Sequence, residues 1–165
     1  MDVEALWTAE AVAIGLDTTS GVPPLIVEVV LYRLTGGAVT GGPFGFWVAP
    51  DAPLHQVRVS SWPNVRLAPP WPEVAERVTE AIGERLLVVH ERDRLEILRR
   101  HLPDWKPAAV VFTRELAERI WPGLADYSLR PLSQEDQRGR GATLEAHATA
   151  LLLGAALKES GSPVT

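Results

Sequence analysis

Residues 11–33 read AVAIGLDTTSGVPPLIVEVVLYR, and their reading decides the fold. An apolar run, Val12 to Leu16, ends at Asp17. Thr18, Thr19 and Ser20 follow, then Gly21, Pro23 and Pro24 interrupt any regular element. A second apolar run, Leu25 to Leu34, is interrupted by Glu28. Runs rich in β-branched and aliphatic residues, bounded by Gly and Pro, read as two strands joined by a tight turn. The first run is apolar almost throughout, as expected of a central strand buried on both faces. Asp17 closes that strand. A carboxylate there is costly to bury unpaired, so it is either a cap for the turn or part of a site.

Outward from this hairpin, Gly36-Gly37 and Gly41-Gly42 bracket a turn, and Phe44 to Val48 reads as a third strand. The three make an antiparallel meander. Pro50 to Pro70 carries Pro53, Pro63 and Pro69 and shows no period, which makes it a long loop of the kind that is often functional. The period then changes. Val74, Val78, Ala81 and Ile82 share one face of a helix that begins after Trp71-Pro72 and stops near Gly83. Leu86 to Val89 is a short buried strand, and His90 to Asp93 turns into a helix striped by Leu95, Leu98 and Leu102. Ala108 to Phe112 is another strand, and Thr113 is expected to cap a helix that stops at Trp121-Pro122-Gly123. Asp126 to Ser133 reads as a helical turn, Gln134 to Gly141 as a loop, and Leu144, Ala148, Leu151, Leu152 and Ala155 mark a final helix. Met1 to Ala11 is either a helical turn or a frayed tail, and 159–165 is a loose end. A meander followed by alternating helices and strands gives an α/β domain over 1–165, with helices against a mixed sheet.

The totals exclude several function classes. With 165 residues the chain can bury a substantial core. It has no cysteine, which removes disulfides, thiolate metal sites and cysteine nucleophiles together. No apolar run approaches the roughly 18 residues of a membrane span, and Met1 to Glu10 has acids but no Lys or Arg, unlike a secretory signal. A cytoplasmic location fits. The net charge of −5 lacks the basic footprint of a strong nucleic-acid binder and leaves room only for a local basic patch.

The order of elements, taken with the residues at their ends, resembles the DnaQ-like 3′-5′ exonucleases, the proofreading and RNase T type, over about Val12 to Leu157. Asp17-Thr18-Thr19 and Ile26-Val27-Glu28-Val29 are similar to the opening Asp-x-Glu and Ile-x-Glu strands of that family. Leu87-Val88-Val89-His90-Glu91, followed by Arg92-Asp93-Arg94, is similar to its middle motif, a strand running into Val-x-His-Asn with an Asp shortly after. Thr113-Arg114-Glu115-Leu116-Ala117 and the run Trp121 to Leu129, WPGLADYSL, are similar to its Thr-x-x-Leu-Ala helix and its Leu-Pro-Gly-x-x-x-Tyr-x-Leu segment. Arg140 and Glu145 stand where the family has a His and, five residues later, an Asp. The resemblance implies an RNase H-like fold, a meander with flanking helices. It also implies a site in which four carboxylates hold two divalent metals about 4 Å apart while a His takes the proton from water.

This chain departs from that pattern at the chemistry. Asp17 is kept. Thr19 replaces the second carboxylate. Arg94 occupies the middle Asp position when counted back from Leu98, unless a shorter turn brings Asp93 there. Arg140, which stays protonated and cannot act as a base, replaces the His. Glu145 replaces the last Asp with the same charge. Asp17, Asp93 and Glu145 are the candidate catalytic carboxylates, and Asp17 and Glu145 the candidate metal ligands. Thr18, Thr19, His90, Arg94 and Arg140 are the candidate substrate contacts. His90 is equally readable as a satisfied core histidine. Arg94 or Arg140 is expected to pair with Asp17 and Glu145 in the space the metals would take. The resulting expectation is a pseudoenzyme that binds single-stranded nucleic acid or a protein, with no membrane contact. The competing one is an atypical exonuclease using Asp17, Glu145 and Asp93, and only that one calls for Mg or Mn. The basic run Arg92, Arg94, Arg99 and Arg100 reads either as phosphate contacts or as a solvated helix face with i,i+4 pairs.

Overall fold

A computed structural model describes residues 2–129 and 141–161. The chain opens with a short helix, α1 (Val3–Leu6), so the helical-turn reading of the N-terminal stretch holds; Leu6 is buried. Three strands follow: β1 (Glu10–Thr18), β2 (Ile26–Thr35) and β3 (Ala38–Trp47). Two single 3-10 turns, Leu54–Gln56 and Val59–Ser61, lead into α2 (Trp62–Arg66) and α3 (Trp71–Ile82). Then come β4 (Leu86–Val89), α4 (Arg92–His101), β5 (Val110–Phe112), α5 (Thr113–Ile120) and α6 (Gly141–Glu159).

The strands form one sheet in the order β3-β2-β1-β4-β5. β1 is central, antiparallel to β2 and parallel to β4. The meander is longer than its third strand suggested. Only Gly36 and Gly37, both at positive φ, make the turn, and β3 starts at Ala38. Gly41 and Gly42 lie inside β3, where the ladder to β2 shifts register around Arg33. Glycines there mark an irregularity within a strand rather than its end.

The sheet separates two cores. Val12, Ile14, Leu16, Val29, Leu31, Leu87 and Val89 meet Val74, Val78 and Ile82 of α3 and Leu95 and Leu98 of α4. On the other face Ala11, Ala13, Val30, Tyr32, Leu34 and Val88 meet Ala142, Ala146, Ala150, Leu153 and Leu157 of α6. The second contact is close because its residues are small. A Cβ added at Gly15 of β1 would lie 2.0 Å from the Ala142 carbonyl oxygen and 2.6 Å from the Ala146 nitrogen. A Cβ at Gly154, near the other end of α6, would lie 2.8 Å from the Gly37 oxygen. Replacing Gly15 by Ala is therefore expected to push α6 off the sheet and cost about 2 kcal/mol, in the range of overpacked cores. Urea unfolding of Gly15→Ala beside the parent protein measures it, and an unchanged midpoint would contradict this packing.

The Pro50–Pro70 segment is more ordered than its sequence implied. Val57 and Val65 bury against Val27, with Trp47, Leu54 and Trp62 around them. Ser20 N–H donates to the Gln56 carbonyl at 2.9 Å, tying the segment to the turn after β1.

Candidate functional site

Close packing of α6 on β1 brings Glu145 to the carboxyl end of β1. Its Oε2 accepts from Leu16 N–H at 3.4 Å, and its Oε1 accepts from Arg94 Nε at 2.9 Å. The Glu145 side chain is 13% exposed and the Arg94 side chain 32%. Burial pushes the Glu145 carboxyl up from 4.5 to about 7, and Asp93 adds a smaller push in the same direction. Arg94 and the Leu16 N–H pull it down without reversing it. Desolvation of the carboxylate outweighs one guanidinium.

Asp17 is the neighbouring residue on β1. Its Oδ1 accepts from Thr18 N–H at 3.1 Å and lies 3.8 Å from Arg58 Nη2. A Cβ at Gly141, the first described residue of α6, would stand 3.5 Å from Arg58 Nη2 and 3.8 Å from Asp17 Oδ1. Asp17, Arg58 and the start of α6 thus share one space. Glu28 is the register partner of Asp17 on β2; it is buried and engaged within the molecule. The carboxyl end of β1 therefore carries two carboxylates, each beside a guanidinium.

The other expected residues take different places. Thr19 is buried in the turn, where its Oγ1 accepts from Leu25 N–H at 3.0 Å and its own N–H donates to the Leu25 carbonyl. Its hydroxyl closes the hairpin. Asp93 is exposed in the first turn of α4. It lines a cleft of about 320 Å³ with His90, Arg92, Phe112, Arg114 and Glu115. Arg94, one residue on, takes the inward position. Arg140 lies outside the described residues.

His90 is buried with both ring nitrogens engaged. Nε2 lies 2.7 Å from the Tyr127 carbonyl, which only accepts, so Nε2 carries the proton. Nδ1 is then the acceptor for the Thr113 hydroxyl at 2.9 Å. Burial holds the imidazole below its usual pKa. Thr113 does not cap α5 as its position suggested; Phe112 is the cap residue, and the Thr113 hydroxyl is spent on His90. The WPGLADYSL run also acquires a reason. The Tyr127 hydroxyl donates to the Trp121 carbonyl and accepts from Leu124 N–H, folding the run so that the Tyr127 carbonyl reaches His90.

Two members of the basic run on α4 find partners outside their own helix, while Arg99 and Arg100 are exposed. Arg92 reaches Glu115 of α5 at 2.6 Å and stacks over Phe112, while Arg94 reaches Glu145. An i,i+4 pair on the surface nearby is Arg114–Glu118, on α5. α4 and α5 bury into different cores, so the Arg92–Glu115 and Arg94–Glu145 pairs join side chains across the end of the sheet.

Two contributors were not foreseen. Arg58 comes from the aperiodic Pro-rich segment, where no spacing marks a side chain as inward; the length of the loop was the only signal. His101, at the end of α4, accepts from Ile26 N–H at 3.1 Å and anchors the start of β2.

Among the described residues no group of three or more His, Asp or Glu side chains is arranged to hold a metal ion. The donor set at β1 does not fit a two-metal centre: Thr19 faces the turn, Asp93 faces solvent, and Arg94 stands against Glu145.

Solved structures show what this architecture is similar to. The zinc-bound complex of E. coli exonuclease I with single-stranded DNA superposes with a TM-score of 0.71 at 14% identity, over 94% of this chain and 41% of that one. Exonuclease I with the inhibitor BCBP gives 0.70 at 13% identity, over 94% and 42%. Cell-death related nuclease 4 gives 0.68 at 12% identity, over 92% and 64%. No protein-family model and no curated protein matches the chain. The likeness defines the fold, the RNase H-like fold of 3′-5′ exonucleases. The chain spans about two-fifths of the length of the exonuclease I chains. No helix among the described residues is long and apolar enough to cross a membrane.

Proposed function

We propose that this chain is a 3′-5′ exonuclease-like domain of the DnaQ type whose metal chemistry is impaired, and that it acts as a binding module for single-stranded nucleic acid. The observation that carries the reading is the 2.9 Å contact of Arg94 with Glu145. A cation covalently fixed to the chain stands where a divalent ion would need that carboxylate. Mg²⁺ keeps its waters reluctantly and gains little from neutral ligands, so a hydroxyl at Thr19 is no substitute. The single-stranded DNA in the exonuclease I complex supports nucleic acid as the ligand class. The acidic balance supports a protein partner instead, and a cytoplasmic setting suits either.

The test is calorimetric titration of the purified protein with Mn²⁺. The expected result is no saturable heat at millimolar ion. A two-site isotherm would end this reading. One feature favours the competing atypical exonuclease: Arg58 stands 3.8 Å from Asp17 and is 56% exposed, which leaves Asp17 open to a single ion. That alternative, built on Asp17, Glu145 and Asp93, calls for a one-site isotherm lost in Asp17→Ala.

A further inference from the structure

The carboxyl end of β1 has a distinctive charge arrangement. β1 is where the sheet changes from antiparallel pairing with β2 to parallel pairing with β4. In open α/β sheets ligands bind outside the strand ends at such a point. Around it stand Arg58, from the Pro-rich segment, and Arg94, from α4. Arg58 lies against Gly141 and Arg94 against Glu145. These two positions are four residues apart, about one turn along α6.

Both guanidiniums are partly exposed. Arg94 meets Glu145 through Nε at 2.9 Å, and its side chain is 32% exposed. Arg58 is 56% exposed and approaches Asp17 only to 3.8 Å, beyond hydrogen-bond reach. An exposed pair that loose contributes almost nothing to stability, so redirecting Arg58 to another anion costs almost nothing. The competing carboxylates are Asp17, Glu28 and Glu145. Glu28 is already engaged, and Glu145 is paired with Arg94 at 2.9 Å. Planar guanidinium forks match phosphate oxygens two at a time.

We infer that this strand end binds a phosphate group of a single-stranded nucleic acid directly through Arg58 and Arg94, with no divalent cation between protein and phosphate. The inference rests on the reading above and deepens it: the place of a metal-held phosphate becomes a guanidinium-held one. Arg58 is the recruitable contact. Arg94 is the fixed one, holding Glu145 with one edge and the phosphate with the other.

The experiment is fluorescence anisotropy with a 5′-labelled single-stranded oligonucleotide in EDTA, across a salt series. One arm carries a 3′-hydroxyl and a second a 3′-phosphate, which separates a chain phosphodiester from a terminal phosphate. The parent protein is expected to bind without metal. Arg58→Ala, an exposed substitution checked for folding by circular dichroism, is expected to weaken binding about tenfold and to reduce the salt slope by about one. Arg58→Lys is expected to keep the slope and lose part of the affinity, because charge survives and the fork does not. Binding in EDTA that is indifferent to Arg58→Ala overturns the site while leaving the binding module standing. Absence of binding in EDTA also overturns it, and the Mn²⁺ titration then judges the impaired-metal reading separately. Binding that appears only with Mn²⁺ overturns both.

Discussion

Incubated with a single-stranded DNA or RNA oligonucleotide and either Mg²⁺ or Mn²⁺, the purified protein is expected to leave the strand at full length. The argument is one of charge. Two-metal hydrolysis needs several anionic oxygens converging on the attacked phosphorus, and a group to take the proton from water. Here Glu145 is held by Arg94, Asp17 faces Arg58, and Thr19 is committed to the turn. Arginine also stands in the sequence where the resemblance expects the base. Loss of a general base alone removes about 10²–10⁴ in rate, and loss of the metal that stabilises the leaving oxygen compounds it. The assay is a denaturing gel time course with the parent protein and Asp17→Ala. Metal-dependent trimming that vanishes in Asp17→Ala would establish the atypical exonuclease instead.

The second large effect is on stability. Glu145 titrates at about 7 in the folded chain against an ordinary 4.5. Its folded pKa is raised, so the folded state holds a proton that the unfolded chain has released. The stability this group contributes is fully present below pH 4.5 and is lost as pH rises through about 7. Between pH 5 and pH 8 the loss amounts to about 2–3 kcal/mol. Urea unfolding at those two pH values, in the parent protein and in Glu145→Gln, isolates it. Glutamine keeps the size and one of the two acceptor oxygens but does not titrate. The parent is expected to lose about 2–3 kcal/mol more than the variant over this interval, and parallel losses would show that Glu145 is not desolvated as its burial implies.

The parts of this molecule that could be read from sequence are those written in a period. The apolar run of β1, the LLVV of β4 and the Leu stripe of α4 placed their elements correctly, and the stripe counted back from Leu98 put Arg94 in the inward position. His90 was readable as a core residue, but its tautomer was not, because Thr113 and the Tyr127 carbonyl come from distant parts of the chain. Arg58 was invisible for a different reason. Its location follows from a backbone contact, Ser20 to Gln56, and from three apolar side chains burying against one another. Neither leaves a repeat in the sequence. The start of β3 was misplaced because glycine pairs mark both turns and ladder irregularities, and only the partner strand distinguishes them.

The glycine and alanine contacts between β1 and α6 have a mechanical meaning. With backbone almost touching backbone at Gly15, and again where Gly154 meets Gly37, the helix has no slack in which to tilt or slide. The helix carrying Glu145 is therefore held tightly against the sheet. Adaptation must come from the ends of long side chains and from the Pro-rich segment that carries Arg58. The main chain is held fixed here, and side chains at a few positions, Thr19 and Arg94 among them, set the charge of this strand end.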